Sequence, residues 1–221
     1  MRGEVDLVLF DLDGTLIDSA PDLAGAANDL RERHGLPPLP EAQLRPMAGA
    51  GARGMIGVAF GVVPGDERYE DLRDTFLGLY ESRMLRNTLV FAEVEPVLGA
   101  LEEAGLRWGV VTNKAMRFTA PITTALGLHG RAAVVIGGDS TPHAKPHPEP
   151  LREAARRSGV PTSRSVYIGD DRRDILAGSA AGMATAAAAW GYLGTGETVE
   201  AWGATIVLER PADLLNWLGL A

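Results

Sequence analysis

Short apolar runs, several of them without polar alternation, recur along this chain and restrict it to one kind of architecture. They fall at residues 5–10, 108–112, 132–136, 165–168, 185–189 and 204–208. Runs of this length and character suit strands buried on both faces. Between them lie amphipathic helical patterns. One is Val94, Val97, Leu98, Leu101 and Ala104, closed by Gly105, where a left-handed residue commonly ends a helix. A second spans about residues 149–158 and stops at Gly159; a third begins near Arg172 and ends near Gly182. Strand and helix in alternation predict an α/β fold, a parallel sheet with crossover helices.

The first strand breaks the rhythm, because no further strand is expected until Trp108. The interval reads as helical instead: residues 20–34 behind a Ser19 cap, a turn at 35–40, then 41–60 and 66–84. This predicts an inserted helical domain over residues 17–84, with 1–16 and 85–221 forming the core. The insertion follows the C-terminal end of the first strand, where open α/β sheets bind ligands, so it is expected to form a lid.

The chain has 221 residues, 46% of them hydrophobic and 23% charged, and no cysteine. It is long enough for a substantial core. Without cysteine there is no disulfide frame, thiolate metal site or cysteine nucleophile. The first apolar run is too short for a signal core or a membrane span, so a cytoplasmic protein with no membrane partner is expected. A net charge of −8 argues against nucleic acid as a partner, since phosphate backbones demand a basic surface. The basic residues comprise nineteen arginines and two lysines, Lys114 and Lys145.

Four segments carry chemistry. In Phe10-Asp11-Leu12-Asp13-Gly14-Thr15-Leu16 two carboxylates at i and i+2 stand where a buried strand ends, which places them on one face. Asp13-Gly14 also reads as an ordinary polar turn. Tyr167-Ile168-Gly169-Asp170-Asp171-Arg172-Arg173-Asp174 again sets acids at a strand end. Helix capping accounts for one of these acids and less readily for three. Bringing Asp11, Asp13 and Asp170 together costs roughly 4 kcal/mol per like-charge pair at about 4 Å and an effective dielectric near 20. A cation held by oxygen ligands, such as magnesium, would relieve it. Thr112-Asn113 follows a strand and offers a hydroxyl, an amide and backbone donors to a phosphate, or a helix cap. Lys145 lies between strand and helix in a loop stiffened by Pro146 and Pro148.

Taken together and in this order, the four segments resemble the four motifs of the haloacid dehalogenase superfamily, across nearly the whole chain. The resemblance implies a Rossmann-like core with the helical insertion as a C1-type cap. It implies a magnesium-dependent phosphomonoester hydrolase acting on a small phosphorylated metabolite. Asp11 would attack phosphorus to give an aspartyl-phosphate; Asp13 would protonate the leaving alcohol and then activate water. Mg2+ would be held by Asp11, Asp170 and the Asp13 carbonyl. Lys145 and Thr112 would stabilise the phosphoryl oxygens, with Asn113 beside them, and Asp174 would support the metal shell or Lys145. An aspartate at position 13 resembles the phosphotransferases rather than the dehalogenases, and a cap without lysine departs from the phosphonate-cleaving relatives.

Within the superfamily, Thr112-Asn113-Lys114 and the layout resemble phosphoglycolate phosphatases. Residues 108–114, Arg117-Phe118 and Gly51-Ala52-Arg53 also resemble N-acetylmuramic acid 6-phosphate phosphatases. A phosphate-binding protein without turnover is the competing class. The small residues at 48–54 allow close backbone approach, so this cap segment is expected to face the site, with Arg53 binding a substrate carboxylate through its planar fork and Arg45 as the fallback. His143 and His147 flank Lys145 at metal-ligand spacing, but the prolines between argue for a loop role. Lys114 reads as exposed, and Trp190 and Tyr192 as packing. The oligomeric state is not legible.

Overall fold

The computed structural model describes residues 4–220; residues 1–3 and 221, included in the expected core, lie outside the described residues. Six parallel strands form the central sheet: β1 (Leu7–Phe10), β4 (Arg107–Val111), β5 (Val135–Ile136), β6 (Ser165–Gly169), β7 (Ala184–Ala188) and β8 (Ile206–Leu208), in the order β5-β4-β1-β6-β7-β8. β2 (Ile17–Asp18) and β3 (Leu89–Val90) form a separate two-stranded ribbon. The expected α/β fold is the fold found, with strand ends shifted by a few residues; only Val135 and Ile136 of the third apolar run pair as strand.

The central strand is buried throughout because helices cover both faces. Side chains alternate across a strand. Val8 and Phe10 therefore join one core with Trp108, Val110, Val166 and Ile168, while Leu7 and Leu9 join another with Val111, Ile136 and Tyr167. Helices α5 (Val94–Glu103), α6 (Met116–Ala125) and α9 (Asp213–Leu218) cover the first face. Helices α7 (Glu149–Ser158) and α8 (Arg172–Ala181) cover the second. Each large apolar side chain withdrawn from water in this way contributes about 1.5–3 kcal/mol, which is why unalternated runs survive as strands.

The insertion holds α1 (Ala20–Arg33), α2 (Glu41–Leu44), α3 (Gly51–Phe60) and α4 (Tyr69–Glu81). Leu23, Leu30, Met55, Phe76 and Tyr80 join the same apolar cluster as the first sheet face. Two features correct the sequence reading. First, the insertion is entered and left through a small antiparallel ribbon, β2 (Ile17–Asp18) with β3 (Leu89–Val90); strands of two residues are too short to leave a pattern. Second, residues 41–60 are not one helix. A tight 3-10 turn over Arg45–Ala50 separates α2 from α3. Pro46 cannot donate a helical hydrogen bond, and Gly51 takes a φ of 57° that disfavours any residue with a Cβ.

One buried carboxylate ties the insertion's first helix to its exit. Asp22, with no exposed surface, accepts hydrogen bonds from the backbone N–H groups of Asn87 and Thr88 and from both their side chains, at 2.8–3.1 Å. Among the described residues, no helix is long and apolar enough to cross a membrane.

Candidate active site

β4 and β6 flank β1 in the sheet, so the residues leaving these three strands emerge side by side. Phe10 is in register with Val110 and Ile168, and the Asp11 N–H donates to the Ile168 carbonyl at 2.8 Å. Asp11, Thr112 and Asp170 are thereby brought to one edge. A cleft of about 280 Å³ opens above it, lined at the floor by Asp11, Asp13, Thr112 and Lys145, and by α1, α4 and residues 48–52 of the insertion. The small-residue segment thus does face the site, as expected.

Lys145 is 4% exposed and heavily partnered. Its ammonium lies 3.0 Å from Asp11 Oδ1 and 2.7 Å from Asp174 Oδ1. It also donates to the Val111 carbonyl at 3.1 Å and the Tyr167 hydroxyl at 2.7 Å. Burial pulls its pKa down, but Asp11 and Asp174 outweigh burial and the net shift is upward. Its main chain is held as well. The Asn113 amide donates to the Lys145 carbonyl and accepts from the Lys145 N–H, both at 2.9 Å. Expected to touch phosphate, the Asn113 side chain is instead committed to positioning the Lys145 loop. Thr112 stays at the floor, its hydroxyl accepting from the Lys114 N–H at 3.2 Å.

Asp11, Asp170 and Asp174 form a cluster whose carboxylate oxygens lie within 4.8 Å of one another. Asp170 sits well above the ordinary carboxylate range, first through burial and then through the charges of Asp11 and Asp174. Asp174 is pushed up to about 6, by burial first, with Lys145 opposing. The chemistry of the cluster fits a cation. The donor set is all oxygen, as a hard divalent ion requires. Gly14, whose φ is 83°, lets the loop after β1 close against Asp170, since a Cβ there would strike its carboxylate. Asp170 is oriented by the Thr15 hydroxyl at 2.9 Å and the Tyr192 N–H at 2.7 Å. Asp174 already has a cation, with Lys145 on one oxygen and the Asp171 N–H of the α8 capping box on the other. The donors on Asp170 are neutral, so Asp11 and Asp170 are the pair that fits a metal. The Asp13 carboxylate points elsewhere.

That carboxylate meets Lys114, contrary to the expectation of an exposed lysine. The Lys114 side chain is 8% exposed, its ammonium 2.8 and 2.9 Å from the two Asp13 oxygens and 4.7 Å from the centre of the Tyr80 ring on α4. Burial lowers its pKa, but Asp13 and Tyr80 more than offset this and hold it protonated. Ser19 precedes α1 but does not cap it through its side chain; its hydroxyl donates to Asp13 Oδ1 at 2.5 Å. Tyr192 is likewise more than packing. Its hydroxyl accepts from the Ser19 and Ala20 N–H groups at 2.8 and 3.0 Å and donates to Asp18 Oδ1 at 3.1 Å. It supplies the cap that Ser19 does not. Trp190 donates its indole N–H to the Thr15 carbonyl at 3.1 Å.

Arg53 is exposed and does not line the cleft above Asp11. It faces a second cleft, shared with Asp170, Asp171 and Tyr192, because α3 begins beyond the turn and rotates it away. Arg173, which lines both clefts, donates to the Gly49 carbonyl at 2.8 Å and is held by Asp171 at 2.7 Å, latching the insertion to the core. Arg45 pairs with Asp18 at 2.8 Å. His143 and His147 are exposed, their ring centroids 4.3 Å apart beside Glu149. The oxygen and nitrogen cluster tight enough for a cation among the described residues is the aspartate one.

A carboxylate at the end of the central strand, a buried lysine against it and a helical insertion above define a class. The chain belongs to the haloacid dehalogenase-like hydrolase family, whose model matches residues 8–188; it is an enzyme. It is 40% identical over 220 residues to an N-acetylmuramic acid 6-phosphate phosphatase of Pseudomonas aeruginosa, covering 100% of this chain and 97% of that one. It is 46% identical over 207 residues to a phosphoglycolate phosphatase of Xanthomonas campestris, covering 94% and 93%. The crystal structure of a predicted phosphoglycolate phosphatase from Haemophilus somnus superposes with a TM-score of 0.85 at 27% identity, over 98% of this chain and 99% of that one.

Proposed function

We propose that this hydrolase is a magnesium-dependent phosphomonoesterase that works through an aspartyl-phosphate on Asp11. The observation that carries the reading is Asp11 itself, held at the cleft floor by Lys145 at 3.0 Å and by the Leu12 N–H at 2.7 Å, both on Oδ1. Oδ2 is then the oxygen available for attack on phosphorus, with expulsion of the alcohol. Asp13 gives a proton to the leaving oxygen and takes one from the water that hydrolyses the intermediate. Lys114 and Ser19 orient it for both steps. Lys145 and Thr112 stabilise charge on the phosphoryl oxygens. Asp11 and Asp170, with the Asp13 carbonyl, would hold Mg2+, while Asp174 fixes Lys145. When bound, the ion would neutralise the carboxylates and polarise the phosphoryl group. Residues 17–84 act as the lid on a core of 1–16 and 85–221.

Phosphoglycolate is the substrate we favour, on the likeness to the phosphatase from Xanthomonas campestris at 46% identity. One observation favours the sugar-acid phosphate of the Pseudomonas aeruginosa relative instead. The cleft holds about 280 Å³, close to the lower end of ordinary small-molecule sites at ~300 Å³, and its upper walls are apolar. A two-carbon acid leaves much of it unfilled.

Hydrolysis of p-nitrophenyl phosphate with and without Mg2+, in the native chain and in Asp11→Asn, tests the reading. Turnover that needs Mg2+ and vanishes in a folded Asp11→Asn protein is expected. Phosphate binding without turnover in the native chain would make it a binding protein instead.

A further inference from the structure

We propose that Arg117 determines specificity in this cleft by binding a carboxylate at the end of the substrate remote from its phosphate. The inference rests on the phosphatase reading and deepens it.

The other cations that line the cleft are already paired: Lys145 with Asp11 and Asp174, Lys114 with Asp13, and Arg173 with Asp171. Arg117, the second residue of α6, lines the same cleft and makes no ion pair among the described residues. It is exposed, whereas the floor is not: Thr112 is 3% and Lys145 4% exposed. Arg117 therefore stands at the mouth, above the place a phosphate would take. Its guanidinium lies over the Phe118 ring, 4.4 Å from the centroid. That contact restricts its rotamers and lowers the entropy lost when it captures a ligand. A guanidinium matches a carboxylate with two parallel donors.

The wall between floor and mouth describes the rest of the ligand. Leu23, Phe76, Leu77 and Phe118 line it and offer nothing to a charge, so the middle of the substrate is neutral. Tyr80, 2% exposed, lines the same wall; its hydroxyl lies near the Lys114 ammonium and finds no hydrogen-bond acceptor among the described residues. A buried O–H without an acceptor is costly, and a hydroxyl or carbonyl oxygen on the neutral part of the substrate would satisfy it. The ligand class is thus a phosphomonoester with a polar but uncharged spacer and a carboxylate at its far end, which is the sugar-acid alternative and not phosphoglycolate, whose single methylene offers no such spacer.

The matched pair 6-phosphogluconate and glucose 6-phosphate tests this, because both carry a hydroxylated spacer and one of them carries the carboxylate. The native enzyme is expected to prefer 6-phosphogluconate in kcat/KM. In Arg117→Ala the ratio of the two kcat/KM values should fall by about 10- to 100-fold, the worth of one charge-assisted contact. Arg117→Lys should recover part of it. The ratio is taken within one variant, so a loss of folded protein cancels. An unchanged ratio in Arg117→Ala, or no native preference between the two, overturns the proposal while turnover of p-nitrophenyl phosphate leaves the phosphatase reading standing. Turnover of none of the three compounds by the native enzyme overturns both.

Discussion

Lys114 grips the Asp13 carboxylate with 2.8 and 2.9 Å contacts to its two oxygens, while the same ammonium rests on the face of Tyr80 from the inserted helices. The contact links the residue proposed to move protons to the lid above it.

Lys114→Met should accordingly damage proton transfer more than phosphate binding. General acid catalysis contributes about 10²–10⁴-fold, and losing the orientation of the acid should cost at least the lower part of that. An alkyl phosphate, whose leaving group needs the proton, should lose more kcat than p-nitrophenyl phosphate, whose phenolate departs readily. Equal losses on the two substrates would show that Lys114 does not act through Asp13.

Lys145→Ala should lose turnover by orders of magnitude and also lose stability. Lys145 balances Asp11 and Asp174 in a buried site, and removing one partner of such a group costs about 3–5 kcal/mol. Steady-state kinetics and urea unfolding report the two effects separately. A kcat/KM within a few-fold of the native value would reduce Lys145 to a loop residue.

Mg2+ binding should be linked to proton release. Burial, then the neighbouring carboxylates, hold Asp170 well above the usual range and Asp174 at about 6. The folded, metal-free protein therefore binds protons that the unfolded chain has released, and these groups make stability fall as pH rises from about 3.8 through about 6. A cation removes that penalty at neutral pH, and in acid it competes with the protons. The gain in urea midpoint on replacing EDTA with Mg2+ should thus be larger at pH 7 than at pH 4.5. A gain equal at both, or larger in acid, would place the ion elsewhere.

Asp22→Ala should destabilise the fold by about 3 kcal/mol without touching the chemistry. The substitution strands the donors of Asn87 and Thr88, and a buried unsatisfied group costs about 1–3 kcal/mol. Urea denaturation measures it, and a change below ~0.5 kcal/mol, as for ordinary surface positions, would show that the exit segment is held by other contacts.

Much of the layout of the candidate site was legible because it depends on strand ends. Unalternated apolar runs mark buried strands, and the residue that follows one must leave at an edge. Asp11, Thr112 and Asp170 could be placed in this way, and the unusually long helical interval after the first strand marked the insertion. The scarcity of lysine is the signal in the sequence for Lys114: in a chain with nineteen arginines, both lysines line one cleft.

What the sequence by itself determined is the set of segments and the local geometry each adopts, since period, burial and turn chemistry act over a few residues. Tertiary structure decided who meets whom. The strand order sets β1 between β4 and β6, joining residues more than 150 positions apart. Asp13 meets Lys114 across 101 positions, and Ser19 meets Tyr192 across 173. Arg53 and Arg117 look alike in the sequence, each close to a predicted site segment, yet only Arg117 lines the catalytic cleft. The turn at Arg45–Ala50 carries Arg53 to the far side, and the start of α6 carries Arg117 to the near one. Such directions arise from packing one element against another, a long-range balance of buried area and hydrogen bonds that no local pattern encodes.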